Sequence, residues 1–164
     1  MKTLRNLKLL TLLVFIITIK SLYAQNNDSI LVAKYIKQAE VFLKQKDCEK
    51  VREYSLKALE INPHIGKAYI IIGSAYIYSV ETCSENAITS GMIFCLAVDM
   101  FQKAKEVDES VSKRADQMIE AYSQYFFDQG VDGFVCNTKE GEKYKIGCWI
   151  NEETTVRFFK KKEE

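Results

Sequence analysis

Proline, histidine and tryptophan each occur once in this 164-residue chain, and glycine only seven times. So little proline and glycine excludes a long flexible or low-complexity tract. A single histidine, His64, leaves a serine–histidine–acid triad one possible base, and no G-x-S-x-G elbow accompanies it. It reads as a solvent-facing turn residue. Phosphate-loop and dinucleotide glycine patterns are missing. No C-x-x-C occurs, so a thiol oxidoreductase built on Cys136 or Cys148 lacks its usual motif, and a four-cysteine zinc site lacks its close ligand pairs. These absences lead us to expect no enzyme activity, no metal and no cofactor. The longest apolar run, Leu9 to Ile19, is eleven residues, short of the roughly 20 that span a bilayer.

That run has a different meaning. Lys2, Arg5 and Lys8 precede it, and Ser21-Leu22-Tyr23-Ala24 follows. This is the three-part layout of a secretory signal, with cleavage expected after Ala24. The competing reading is a retained membrane anchor. Residues 1–24 carry four basic residues and no acid, so the remainder has 19 of the 23 basic residues against 22 acidic ones, a net charge near −3. Phosphate recognition needs a basic footprint, so nucleic acid is not expected as a partner. The expected location is the periplasm or cell surface, with no stable membrane insertion after cleavage.

An exported chain favours disulfides. Of the five cysteines, Cys95 lies in an apolar helical stretch and reads as the buried free one. Cys48, Cys83, Cys136 and Cys148 are the disulfide candidates. Cys136 with Cys148 would join two strands, and Cys48 with Cys83 would tie two helix ends.

What the chain has in abundance is three-and-four apolar spacing. It predicts helices over Ser29–Lys46, Cys48–Ile61, Ile65–Val80, Ser90–Val107 and Val111–Phe127. Asn62-Pro63 ends the second. The third is apolar on nearly every side and is expected between two neighbours. Glu81 to Thr89 reads as a polar loop. Beyond residue 129 the period shortens: Phe134–Cys136, Tyr144–Ile150 and Thr154–Phe159 read as a three-stranded meander packed on the last helix. Trp149 is expected to plug it against the helices. Arg157 is placed to pair with Glu152 or Glu153.

A spacing of 34 residues carries Tyr35, Ala39 and Phe42 onto Tyr69, Gly73 and Tyr76. An offset of 46 carries Val51, Ser55, Ala58 and Pro63 onto Ala97, Phe101, Ala104 and Glu109, and the first-helix positions onto Ala115, Ile119 and Tyr122. The excess of twelve falls in the polar loop near Cys83. Period and small–aromatic pattern resemble the tetratricopeptide repeat. Ser55 in place of an aromatic, Glu109 in place of proline and the insertion depart from its usual form. The stretches Lys57 to Pro63, Ala97 to Ala104 and Gly147 to Arg157 resemble a group of exported tetratricopeptide proteins of Bacteroidetes-type bacteria. The resemblance implies a mainly α fold: about two and a half helical-hairpin repeats over 29–127, with the β-meander over 130–160.

It also implies a concave face formed by first helices, where a protein or peptide docks. The positions are Ile36, Glu40, Leu43 and Lys44, then Ile70, Ser74, Ile77 and Tyr78, then Lys113, Asp116 and Glu120. Two states of this face remain open: a free groove, or a floor covered by the tail. The function expected is a protein-interaction module. A structural subunit or assembly factor of an envelope complex, and a small-ligand carrier with an apolar pocket between array and tail, are the other readings.

Overall fold

A computed structural model of the chain describes residues 27–128 and 139–159. Its helices are α1 over 27–44, α2 Cys48–Ile61, α3 Gly66–Tyr78, the short α4 Val80–Cys83, α5 Ala87–Val107 and α6 Ser112–Ser123. A 3-10 turn, Glu109–Val111, leads into α6. The strands β1 Phe127–Asp128, β2 Lys143–Lys145, β3 Glu153–Thr155 and β4 Phe158–Phe159 are all short. The fold is therefore mainly helical.

Local chemistry sets most helix ends. Asp47 opens α2 by accepting from the Lys50 amide at 3.3 Å, and Asn62 leaves it in extended backbone ahead of Pro63. Asn86 accepts from the Thr89 amide at 2.9 Å and starts α5. That cap moves the α5 start to Ala87, inside the stretch expected to be loop, and α4 occupies more of it. Ile65, at the start of α3, has no capping side chain. Asp108 supplies the cap from a distance: its carboxylate accepts from the Gly66 amide at 3.2 Å and from the Ser110 amide at 3.0 Å. The Ser110 hydroxyl, with these amides, holds the Asp108 carboxyl below its ordinary range despite some desolvation.

Two apolar clusters meet at α3. On one side Val32, Ile36 and Ala39 of α1 and Val51 and Ala58 of α2 pack against Ala68, Ile71 and Ala75. On the other, Ile72 and Tyr76 join Met92, Leu96 and Phe101 of α5, with Ile146, Ile150, Val156 and Phe158 of the tail. A helix that serves both clusters needs apolar residues all round, as its sequence has. The α3–α5 approach is close because position 73 is glycine. A Cβ there would lie 2.5 Å from a ring carbon of Phe101 and 3.0 Å from the Ala97 carbonyl oxygen. Gly66 is similarly enclosed by Val111, Asp108 and Ala104.

The tail differs from the expected meander. β2 pairs antiparallel with β3, with Tyr144 opposite Thr154. β1 pairs parallel with β4, Phe127 opposite Phe158. The stretch 146–150 does not continue β2. It turns through Cys148 and Asn151, both at positive φ, and closes with the Asn151 amide donating to the Gly147 carbonyl. The last helix ends at Ser123 rather than Phe127, because Phe127 is buried over Gly91 and pairs with the tail. The expected strand Phe134–Cys136 lies outside the described residues.

Ser55, where the repeat pattern calls for an aromatic, is fully buried and its hydroxyl has no hydrogen-bond partner. Ser55→Ala is therefore expected to stabilise the protein by about 1 kcal/mol, read as a higher midpoint in urea unfolding. Gly73→Val should destabilise by about 1–3 kcal/mol through overpacking against Phe101. An unchanged midpoint for Gly73→Val would contradict the tight α3–α5 contact.

Candidate functional site

The chain between α1 and α2 turns tightly. Lys46 adopts φ +57°, and the Asp47 amide reaches back to the Phe42 carbonyl at 3.0 Å, so a lysine holds the left-handed position glycine usually takes at a helix end. This places the Lys46 ammonium 5.6 Å from the Tyr78 ring centre, at the far end of α3. The tail's turn comes to the same place. Together the α1–α2 turn, the α3–α4 junction and the tail's turn enclose a cleft of about 630 Å³. Cys48, Tyr78, Glu81, Cys148 and Trp149 are among its lining residues. Its size suits a ligand group or peptide side chains.

Three attachments hold the tail against the helices. Arg52 of α2 donates to the Ile150 carbonyl at 2.6 Å and the Trp149 carbonyl at 3.4 Å, and pairs with Glu152 at 2.5 Å. Arg157 pairs with Asp99 of α5 at 2.7 Å and also donates to the Cys95 carbonyl. Thr154 donates to the other Asp99 oxygen at 2.6 Å. The third attachment is a Cys83–Cys148 disulfide. Two expectations are corrected here. Arg157 pairs with Asp99, not with Glu152 or Glu153, because the tail lies along α5 and Glu152 faces Arg52. The cysteine pairing is neither Cys48–Cys83 nor Cys136–Cys148: α4 carries Cys83 to the tail, while Cys48 remains a thiol and Cys136 lies outside the described residues.

Electrostatics around these attachments is governed by burial. Burial raises the Tyr76 phenol well above its ordinary range, and the Glu152 carboxylate, within 3.4 Å of its hydroxyl, adds to this against the opposing Arg52 charge. Burial likewise raises the Cys95 thiol, with Arg157 opposing. Cys95 is thus a protonated core thiol whose sulfur faces the Arg157 carbonyl at 3.8 Å. Asp47 is lowered chiefly by its hydrogen bond to Lys50. His64 is exposed in its turn, its amide donating to the Asn62 side chain.

The expected concave residues fall into three groups. Ile36 is buried between α1 and the first cluster, and Leu43, Ile70 and Ile77 are half-buried and packed on the two clusters. Glu40 pairs with Lys67 at 2.7 Å, Asp116 pairs with Lys105, and the Ser74 hydroxyl donates to the Ile70 carbonyl. Lys44, Lys113 and Glu120 are exposed, as is Tyr78, at 48% the most exposed apolar side chain of the set. Ile77 and Tyr78 reach the cleft. The tail's polar contacts go to Arg52, Tyr76, Thr89, Cys95, Asp99 and Gln102, on α2, α3 and α5.

Sequence reasoning missed Lys46, Asp47, Glu49, Glu81 and Thr82 as cleft residues, and missed that Trp149 faces it. The only local signal was the α1–α2 turn itself. Trp149 does meet the helices, with its ring 5.9 Å from that of Tyr76. A second cavity of about 540 Å³, lined by Val32, Ala33, Ile36, Ile61 and Ile65 among others, lies between α1 and the α2–α3 turn. Of these two cavities, the more apolar is therefore not the one between helices and tail. Among the described residues, no group of three or more His, Cys, Asp or Glu is placed to hold a metal, and no helix is long and apolar enough to cross a membrane. Comparisons with protein-family models, curated proteins and solved structures find no match.

The lone tryptophan reports on this site. Arg52→Met removes the guanidinium that holds the Trp149 and Ile150 carbonyls and Glu152. It should lower stability by about 1.5–3 kcal/mol and shift Trp149 emission to the red, with the helical circular-dichroism signal retained. Emission unchanged from wild type would show that Arg52 does not hold the turn.

Proposed function

We propose that this chain is an exported tetratricopeptide-type interaction module that holds an extended stretch of a protein partner at the Tyr78–Trp149 end of its first-helix face. The cleft between the α1–α2 turn, α3 and the tail carries this reading. It has two aromatic walls, which favour side-chain docking, and both charge signs at its rim in Lys46, Glu49 and Glu81. The rest of the expected face is less available, since Ile36, Leu43 and Ile70 are engaged in packing. A partner would therefore be gripped at one end of the face and follow the exposed Lys44, Lys113 and Glu120 by charge alone. The small residues at Ala39 and Gly73, both buried at matching positions of two first helices, favour the repeat reading. Export is favoured by the basic–apolar–small layout of residues 1–24 and by a disulfide, which persists in oxidising compartments.

The test is crosslinking in cells that make the protein, followed by mass spectrometry of the envelope fraction. Tyr78→Glu should reduce capture of the partner about tenfold or more, as loss of an aromatic anchor does. Tyr125→Glu, at an exposed aromatic on the other side of α5, should leave capture unchanged. Equal capture by wild type and Tyr78→Glu removes the cleft from the binding site.

A further inference from the structure

Cys48 and Cys148 line the same cleft, yet Cys148 is bonded to Cys83 and Cys48 is a free thiol. Three sulfur atoms thus serve one small region in which two can be joined. The two ends of the disulfide differ. Cys83 is 6% exposed and is no part of the cleft wall, whereas Cys148 is exposed and forms part of it. The more open sulfur of the bond thus belongs to the cysteine that lines the cleft together with Cys48.

A side chain of α2 links the two segments. Cys48 and Arg52 stand one helical turn apart on the same side of α2. Arg52 hydrogen-bonds to the carbonyls of Trp149 and Ile150, the two residues that follow Cys148. The α2 face that carries Cys48 is therefore the one whose arginine reaches the turn that carries Cys148. Cys48 is half-buried, packs on the edge of the first cluster, and its Sγ makes one long polar contact, to the Lys46 carbonyl at 3.5 Å. The charged groups around it are Lys46, Asp47 and Glu49 of its own turn and Glu81 of α4. Cys95 takes no part, being fully buried beneath Arg157.

We propose that Cys48 is an exchange thiol for the Cys83–Cys148 disulfide. Its thiolate attacks Cys148 Sγ, the Cys48–Cys148 bond forms, the Cys83–Cys148 bond breaks, and Cys83 leaves as a thiolate. The proton lost by Cys48 passes to solvent, and Cys83 takes one up from solvent. One disulfide is exchanged for another, so no oxidant or reductant is consumed, and Cys83 can attack in return. The consequence is a choice of tether. The tail's turn is tied to α4 in one form and to α2 in the other, and α4 is released from the tail in the second. Both forms border the cleft, so the exchange changes its wall. The inference stands apart from the partner-binding proposal, since it rests on the shared cleft lining, the state of each cysteine and the Arg52 link.

Peptide mapping tests it on the full protein. Wild type is held at mildly alkaline pH, which favours thiolate attack, then quenched with acid, alkylated in denaturant and digested without reduction. The expected map contains a Cys48–Cys148 linked peptide with alkylated Cys83, beside the Cys83–Cys148 peptide. Its proportion should not change with protein concentration, and it should vanish in Cys48→Ala. In Cys83→Ser treated with oxidised glutathione, Cys48–Cys148 should be the main linkage. If Cys83→Ser does not fold, the wild-type map decides. A map in which Cys48 is always alkylated, a linkage whose yield rises with protein concentration, or a Cys148 that joins Cys136 or glutathione in Cys83→Ser would each overturn the proposal.

Discussion

The close contact of α3 with α5 at Gly73 is the constraint on which the remaining structure depends. Phe101 lies where the Cβ of any other residue at position 73 would stand, so the two helix backbones approach as nearly as packing allows. Because α3 belongs to both apolar clusters, that approach also sets how α1 and α2 sit against the second half of the molecule. Asp108 reinforces it from the far end of α5, by capping α3 and the turn into α6 with one carboxylate. Displacing α3 would open both clusters and remove the wall of the cleft that holds Tyr78.

The tail depends on this helical frame more than it contributes to it. Its two ladders are only two or three residues long, and such pairs are marginal by themselves. It is ordered by what it meets: Ile146, Ile150, Val156 and Phe158 enter the second cluster, and Arg52, Asp99 and the buried Cys83 fasten it to the helices. The two arginines act differently. Arg52 holds backbone carbonyls of the turn, so it positions Trp149 and Cys148 irrespective of their side chains. Arg157 is carried by the tail and inserts toward α5, where Asp99 and the Cys95 carbonyl receive it. The cleft is a by-product of this docking: two of its walls are helix ends, and the third exists only because the tail is fastened.

Much of the helical part could be read from residue order. α2 has the expected bounds because Asp47 and Asn62-Pro63 are strong local signals at its two ends. The burial of Cys95 and the two-sided packing of α3 follow from apolar spacing, and the exposure of His64 from its turn beside Pro63. The site was less legible. Ile70 shares a face of α3 with Tyr78 in projection, and Ile36 holds the matching place on α1, but projection does not tell which part of a face a neighbouring helix covers. The tail was misread as a meander because alternation in Tyr144 to Ile150 is a real pattern with another cause: Ile146 and Ile150 are buried on opposite sides of a turn, not along one strand.

Residue order by itself determined five of the six described helices, though not every boundary, together with the small residue at the α3–α5 contact and the all-round apolar character of α3, because each is written in short-range spacing along the chain. Tertiary structure alone decided which cysteines join, which acid each arginine finds, and where Trp149 points. Cys83 and Cys148 are 65 residues apart, and nothing near either favours the other over Cys48. Such pairings depend on where rigid helices deliver the ends of separate segments, and that distance is a property of the packed molecule, not of any local spacing.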